Sequence, residues 1–394
     1  MNSIELDSKY VMNTYRRQPV CFVKGQGTRL WDTEGKEYID FLAGVAVCGL
    51  GHCHPAVTKT IQEQAAKLLH VSNVFVNEAG PALAKELAHR TGMEKAFLAN
   101  TGAEAVETAI KLAKKFGRDK GIARPEIIVM AGGFHGRTIG ALSATMNPLY
   151  QNPFKPLLEG FITVPRNDVN ALEDAISPST CAILVEPIQG ETGVHVLTGE
   201  YLMRARDLAN QHGLLLIADE IQAGIGRTGK FLSIQHTGVV PDVVTLAKGL
   251  ANGIPIGVCL ARGVAADVLG FGQHGSTFGG NPFACTVALT VLKVLDEEHV
   301  PENAASVGDY LMAALRKVEG ITEVRGKGLM IGAQLAQPMA VKAVADLLEK
   351  GFLAVAVGDS VIRMLPPLIV KKEECDLLVA AFQTLGLAKE EVHA

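Results

Sequence analysis

A chain of 394 residues, 48% hydrophobic and 20% charged, is too long for one ordinary core and too apolar to stay disordered. Its formal net charge is −4, and Lys and Arg do not cluster, which argues against a nucleic-acid or anionic-membrane partner. Seven cysteines at irregular spacing, with no C-x-x-C pair, argue against a disulfide framework or zinc ribbon and fit a reducing cytoplasm. The polar start MNSIELDSKY has no apolar signal-peptide core, and no run of about 18 apolar residues offers a membrane span.

Residues 1–55 read as a separate N-terminal arm. Residues 28–32, a turn at Glu34-Gly35-Lys36 and residues 38–41 form a hairpin-like pattern, expected to pack on a smaller domain. From 56 to 280, apolar runs of strand length alternate with amphipathic helical segments. Phe97-Leu98-Ala99 precedes a helical pattern over about 103–116, and 126–130 precedes a Gly-rich turn. Residues 182–185 end at Glu186, 214–218 at Asp219 and 243–247 at Lys248. This alternation predicts an α/β fold with a mostly parallel central sheet and helices on both faces. Past residue 280 a helix over 282–298 leads to strand-like pieces at 322–325, 329–335 and 361–365. Residues 281–394 are therefore expected to form a smaller α+β domain.

Polar residues stand where the strands end, and in open α/β sheets ligands bind at the carboxyl ends of strands. Lys248 is one of them. Burial there lowers a lysine's basicity and lets it form a Schiff base; the alternative is an exposed surface lysine. Asp219 ends what reads as a central buried strand. A buried carboxylate needs a partner: a protonated pyridine nitrogen is one, the next helix's backbone another. Gln222 can reach a ring oxygen or be an ordinary helix residue. Thr101, Gly102 and Ala103 join a strand to a helix, where first-turn N–H groups attract phosphate. Phe134 can stack on a flat ring and Arg137 can clamp a carboxylate, or they can be a core phenylalanine and a surface ion-pair arginine.

The motifs extend over nearly the whole chain. They include Leu30-Trp31-Asp32, Gly51-His52-Cys53-His54-Pro55, Ser72-Asn73-Val74-Phe75, Thr101-Gly102-Ala103-Glu104-Ala105 and Phe134-His135-Gly136-Arg137-Thr138. They continue with Glu186-Pro187-Ile188-Gln189-Gly190-Glu191, Asp219-Glu220-Ile221-Gln222 and Leu246-Ala247-Lys248-Gly249. The last are His274-Gly275-Ser276-Thr277-Phe278-Gly279-Gly280-Asn281-Pro282 and Arg363-Met364-Leu365-Pro366-Pro367. With these the sequence resembles the class III (fold type I) aminotransferases that use pyridoxal 5′-phosphate (PLP), and among them the acetylornithine aminotransferases. The resemblance implies that Lys248 carries the cofactor and moves the proton, and that Asp219 pairs with the pyridine nitrogen. It gives the ring oxygen to Gln222, the ring face to Phe134, and the phosphate to Thr101, Gly102 and Ala103. Thr277 is expected to hold the same phosphate from the partner subunit of a homodimer with shared active sites, with Ser276 near the substrate.

For substrate, the resemblance implies transfer of the terminal amine of N2-acetyl-L-ornithine to 2-oxoglutarate, giving glutamate, a step of arginine biosynthesis. Arg137 would hold the far carboxylate and Arg363 the near carboxylate of glutamate. Glu191 would pair with Arg363 when that carboxylate is absent, since an unpaired buried guanidinium is costly. Ornithine aminotransferases usually carry an aromatic residue where this chain has Ala43-Gly44-Val45-Ala46, which favours an N-acylated substrate. Thr192 departs from the family's usual glycine. Ornithine, succinylornithine, N-succinyl-diaminopimelate semialdehyde and 4-aminobutyrate are the alternative partners. A PLP decarboxylase or racemase shares the cofactor residues. A PLP-binding regulator would need a DNA-binding extension that does not fit this length. His52-Cys53-His54 has metal-ligand spacing but no further ligands close in sequence, so no metal is expected.

Overall fold

The computed structural model describes residues 1–387; residues 388–394, the end of the segment assigned to the smaller C-terminal domain, lie outside the described residues. At its centre is a seven-stranded sheet. Its order is Lys95–Ala99, Gly257–Ala261, Val243–Leu246, Leu215–Asp219, Thr180–Val185, Glu126–Met130, Phe161–Val164. Six strands run parallel, and Gly257–Ala261 runs against both its neighbours. The sheet is thus mostly parallel, as the β/α alternation predicts. Two strands escape the sequence reading. Phe161–Val164 is a half-exposed edge strand, and Gly257–Ala261 begins on glycine just after Pro255, which reads as a loop.

Thr180–Val185, Leu215–Asp219 and Val243–Leu246 are buried at every residue, because helices cover both faces of the sheet. Alternate side chains divide between two cores. Ile127, Val129, Leu215 and Ile217 pack with Val106, Ala109 and Ile110 of the helix Gly102–Asp119. Ile128, Met130, Leu216 and Ala218 pack with Tyr201, Ala205 and Leu208 of the helix Gly199–His212.

Leu215–Asp219 is the middle strand, so Asp219 ends at the centre of the carboxyl edge. Its neighbour pairs Thr245 with Asp219, which delivers Lys248 beside it three residues later. The antiparallel strand makes its own contribution. Because it begins where its neighbours end, its entry residues Gly253, Ile254, Pro255 and Ile256 join the same edge.

On one flank, Phe22–Gln26, Arg29–Asp32 and Glu37–Asp40 form an antiparallel meander whose last strand pairs in parallel with Phe352–Leu353. Residues beyond 320 build a second four-stranded sheet of Ile321–Lys327, Met330–Leu335, Val361–Met364 and Val355–Val357. The helix Val300–Leu315 packs against it and against Lys372–Gln383. His52 Nε2 lies 2.8 Å from Asp40 Oδ2, and His54 Nε2 lies 3.1 Å from Glu298 Oε1.

Gly257 locks the sheet to the strand–helix turn at Thr101. A Cβ on Gly257 would stand 2.0 Å from the Thr101 carbonyl oxygen and 2.6 Å from its carbon. Backbone on both sides leaves no side chain to step aside. Gly257→Ala is expected to cost about 1–3 kcal/mol, read as a lower urea midpoint. Gly275→Ala, whose Cβ would meet nothing within 4 Å, should leave that midpoint unchanged.

Candidate active site

A cavity of about 430 Å³ opens at the carboxyl edge of the central sheet. Thr101, Gly102 and Ala103 form one wall, Phe134 and Arg137 another, and Asp219, Gln222 and Lys248 the floor between them. Four separate strand ends therefore bring together eight residues that the sequence proposes.

Asp219 is 4% exposed. Its Oδ1 accepts hydrogen bonds from Thr245 Oγ1 at 3.0 Å and from the Ile221 N–H at 3.1 Å, and its Oδ2 lies 2.7 Å from His135 Nδ1. Turns, not a helix, follow Asp219, so the carboxylate does not cap a helix. Burial works against a charged His135, but the hydrogen bond and negative charge of Asp219, helped by Glu186, carry the imidazole above its ordinary range. His135 is thus biased toward its charged form beside a carboxylate that lines the cavity. His135 had no role in the sequence reading. Its place inside the Phe134–Arg137 motif was the available signal.

Lys248 has φ +43°, a left-handed conformation that L-residues other than glycine rarely hold without support. Burial is the largest influence on its amine and lowers its basicity; the charge of Arg363 acts the same way, while Glu191, Asp219 and Glu186 oppose it. The result is a lysine that loses its proton more readily than one on the surface.

The helix Gly102–Asp119 starts at Thr101, whose Oγ1 accepts from the Glu104 N–H at 3.2 Å. Glu104 reaches back to the Asn100 N–H at 2.8 Å, which fixes the turn. The first N–H groups of a helix have no partner inside it, and those of Gly102 and Ala103 belong to the cavity wall.

Phe134 is held by its N–H, which donates to Glu186 Oε2 at 2.8 Å. Glu186 is buried, and burial raises its pKa against the pull of His135. Arg137 is exposed and lies over the Tyr150 ring at 3.6 Å. Near Val47, on the cavity rim, the chain makes a left-handed turn: Ala43, Gly44, Val45 and Ala46 have φ of 50°, 63°, 64° and 64°.

A second cluster adjoins the floor. Arg363, on the strand Val361–Met364, is 3% exposed. Its Nη1 donates to Glu191 Oε1 at 2.6 Å and to the Gly190 carbonyl at 2.9 Å. Gln222 Nε2 donates to the same Glu191 oxygen at 3.0 Å. Burial alone would raise the Glu191 pKa, but the charge and hydrogen bond of Arg363, with Gln222, bring it below the ordinary value. Arg363 Nε is buried without an acceptor among the described residues.

Ser276 and Thr277 stand apart from this cavity wall. Ser276 Oγ accepts from Asn100 Nδ2 at 3.1 Å, and Thr277 is exposed.

An electron-poor pyridine ring bearing a phosphate fits this set of groups. It would meet a buried carboxylate, a lysine of lowered basicity, an aromatic side chain and a helix N-terminus. Comparison with known proteins agrees. The family model described as aminotransferase class-III matches residues 10–385. The acetylornithine aminotransferase of Methanocaldococcus jannaschii is 46% identical over 389 residues, 96% of each chain. Among solved structures, the ornithine aminotransferase from Toxoplasma gondii ME49 superposes with a TM-score of 0.93 at 38% identity, covering 97% of this chain and 93% of that one. The acetylornithine aminotransferase from Elizabethkingia anophelis gives 0.87 at 36% identity, covering 97% of each. By sequence, fold and the residues at its central cavity, this chain belongs to the class-III aminotransferases.

Proposed function

We propose that the enzyme moves the terminal amine of N2-acetyl-L-ornithine to 2-oxoglutarate, forming N-acetyl-L-glutamate 5-semialdehyde and L-glutamate in arginine biosynthesis. The observation that carries this reading is the buried Arg363–Glu191 pair beside Lys248. One pocket must accept glutamate, whose carboxylate adjoins the reacting amine, and an amine with no carboxylate there. Arg363 can hold the first, its unpartnered Nε supplying a further donor. Glu191, at 2.6 Å, can neutralise the same guanidinium for the second. Curated acetylornithine aminotransferases at 44–47% identity over nearly the full chain support the substrate.

Lys248 would carry PLP, Asp219 would meet its ring nitrogen, Gln222 its ring oxygen and Phe134 its ring face. Thr101, Gly102 and Ala103 would hold its phosphate. When bound, PLP supplies the electron sink that lets the amine-bearing carbon release a proton. Lys248, its basicity lowered by burial, accepts that proton once free and later returns it. His135, 2.7 Å from Asp219 Oδ2, would hold that carboxylate in place. Arg137, at the cavity mouth, would take the far carboxylate, with Ser276 near the substrate.

Ornithine is the second reading, because solved ornithine aminotransferases superpose at least as well. The segment 43–46 favours the acylated substrate: it holds only Ala, Gly and Val and has no aromatic side chain for a free α-amino group. A homodimer is part of the proposal. Val74, Phe75 and Val76 are 82%, 67% and 88% exposed, and Phe278, beside Thr277, is 61% exposed. So much apolar surface suits a protein interface, and Thr277 would then reach the partner's phosphate. We place the enzyme in the cytoplasm, consistent with seven unpaired cysteines. No helix of the described residues is long and apolar enough to cross a membrane.

Absorbance titration of the holoenzyme tests the substrate. Adding N-acetylornithine should convert the lysine-bound cofactor band to the amine form fastest, ahead of ornithine, N-succinylornithine and 4-aminobutyrate, and 2-oxoglutarate should reverse it. Faster conversion by ornithine would replace the first reading with the second. Lys248→Ala should lower turnover by about 10²–10⁴-fold.

The lowered basicity of Lys248 has a pH signature. As pH falls from 10, exposed lysines of the cofactor-free protein should lose their reaction with pyridoxal and borohydride before Lys248 does. Peptide mapping reads the difference. Sedimentation should return a two-chain particle, and Phe75→Glu should shift it toward one chain and reduce turnover.

A further inference from the structure

Glu191 sits on a segment bound at several points to the loop that carries Phe134. Glu186 Oε2 accepts the Phe134 N–H at 2.8 Å, and Gln189 Nε2 donates to the Ala131 carbonyl at 3.1 Å. Further along, Thr192 Oγ1 donates to the Gly132 carbonyl at 3.2 Å. These contacts join two neighbouring strand ends, and Thr192 is the last, directly after Glu191. The backbone around it is held as well. Arg363 Nη1 takes the Gly190 carbonyl at 2.9 Å, His195 Nε2 lies 3.1 Å from the Thr192 carbonyl, and Arg325 Nε donates to the Gly193 carbonyl at 2.7 Å.

Of these ties, only the Thr192–Gly132 bond needs a hydroxyl at position 192, where glycine would have none. It crosses to the opposite loop, as the Glu186 and Gln189 ties do further back, whereas the contacts to the Gly190, Thr192 and Gly193 carbonyls bind the segment to its own hairpin or to the C-terminal sheet. The Thr192 side chain also fills the space beside Gly132. A Cβ built there would meet Thr192 Oγ1 at 3.2 Å and Cγ2 at 3.3 Å. Losing the hydroxyl therefore removes the tie to the opposite loop nearest Glu191 while leaving the Arg363 contacts in place.

We propose that Thr192 is a positioning residue that holds Glu191 on Arg363 and so favours amino donors with no carboxylate beside the reacting amine. The inference rests on the Glu191–Arg363 exchange described above. A firmly placed Glu191 neutralises the guanidinium for a terminal-amine donor, and glutamate must displace it. A loosened Glu191 does the first less well and yields to glutamate more easily.

The test compares single-turnover kcat/KM of the holoenzyme for N-acetylornithine and for glutamate. Each variant's ratio of the two cancels any loss of active fraction. Thr192→Val keeps the shape without the hydroxyl, and its ratio should shift toward glutamate by about 3- to 10-fold, the worth of one hydrogen bond. Thr192→Gly should shift it the same way, and Thr192→Ser should retain the parent ratio. Glu191→Gln separates the two ideas. If it moves the ratio but Thr192→Val does not, the exchange stands and the role of Thr192 is overturned. If Glu191→Gln leaves the ratio unchanged, the exchange falls and this inference with it. A serine variant that behaves like valine would also overturn it, because the hydroxyl would then not be the cause.

Discussion

The negative charge of Asp219, kept inside the protein, is the constraint around which the site is arranged. A buried carboxylate is costly unless bonded and paired, and Asp219 is supplied on every side: Thr245, the Ile221 N–H and His135 all hold it. Each partner comes from a different strand end. The charge is therefore stable only when the central strands are in register and the Phe134–Arg137 loop is folded over them. Formation of the site and of the sheet's carboxyl edge is one event. This is why a charged group at the cavity floor can also be so well buried.

The second charged centre couples the site to the other half of the molecule. Arg363 comes from the C-terminal sheet, yet its partners Gly190 and Glu191 follow a strand of the central sheet. Gly190 shows how closely they fit, since a Cβ there would lie 2.9 Å from Met330 Cε of the C-terminal sheet. The Arg363–Glu191 corner of the site thus depends on how the two sheets meet. The wall and floor formed by Thr101, Phe134, Asp219 and Lys248 are set by the central sheet.

Much of this was legible in the sequence, for identifiable reasons. Continuous apolar runs ending in a single polar residue gave away Asp219 and Lys248, because a strand buried on both faces has no other use for a charge at its end. Thr101-Gly102-Ala103 was readable because the pattern changes there from strand to amphipathic helix. His135 was not, because a histidine acts here only through Asp219, which is 84 residues away in sequence. Glu186 was hidden similarly, since it bonds the backbone of Phe134 and no side chain announces it. The antiparallel strand Gly257–Ala261 escaped because strand direction leaves no mark on composition. The positions of Ser276 and Thr277 outside the cavity wall follow from tertiary placement of a Gly-rich loop, which spacing cannot give.

The left-handed turn at residues 43–46 has a consequence for how the pocket's outline is inherited. Such a conformation costs about 1–2 kcal/mol for each residue other than glycine, so its neighbours must impose it. Asp40 does so: its Oδ1 accepts the N–H groups of Leu42 and Ala43, each at 2.8 Å. Asp40 is in turn fixed by His52, whose pKa its hydrogen bond, aided by Cys48, raises to about 10. The path of the chain into Val47 on the cavity wall is therefore set by the Asp40–His52 pair behind it. A lineage could reshape this part of the pocket by altering Asp40 or His52, without changing any residue that lines it.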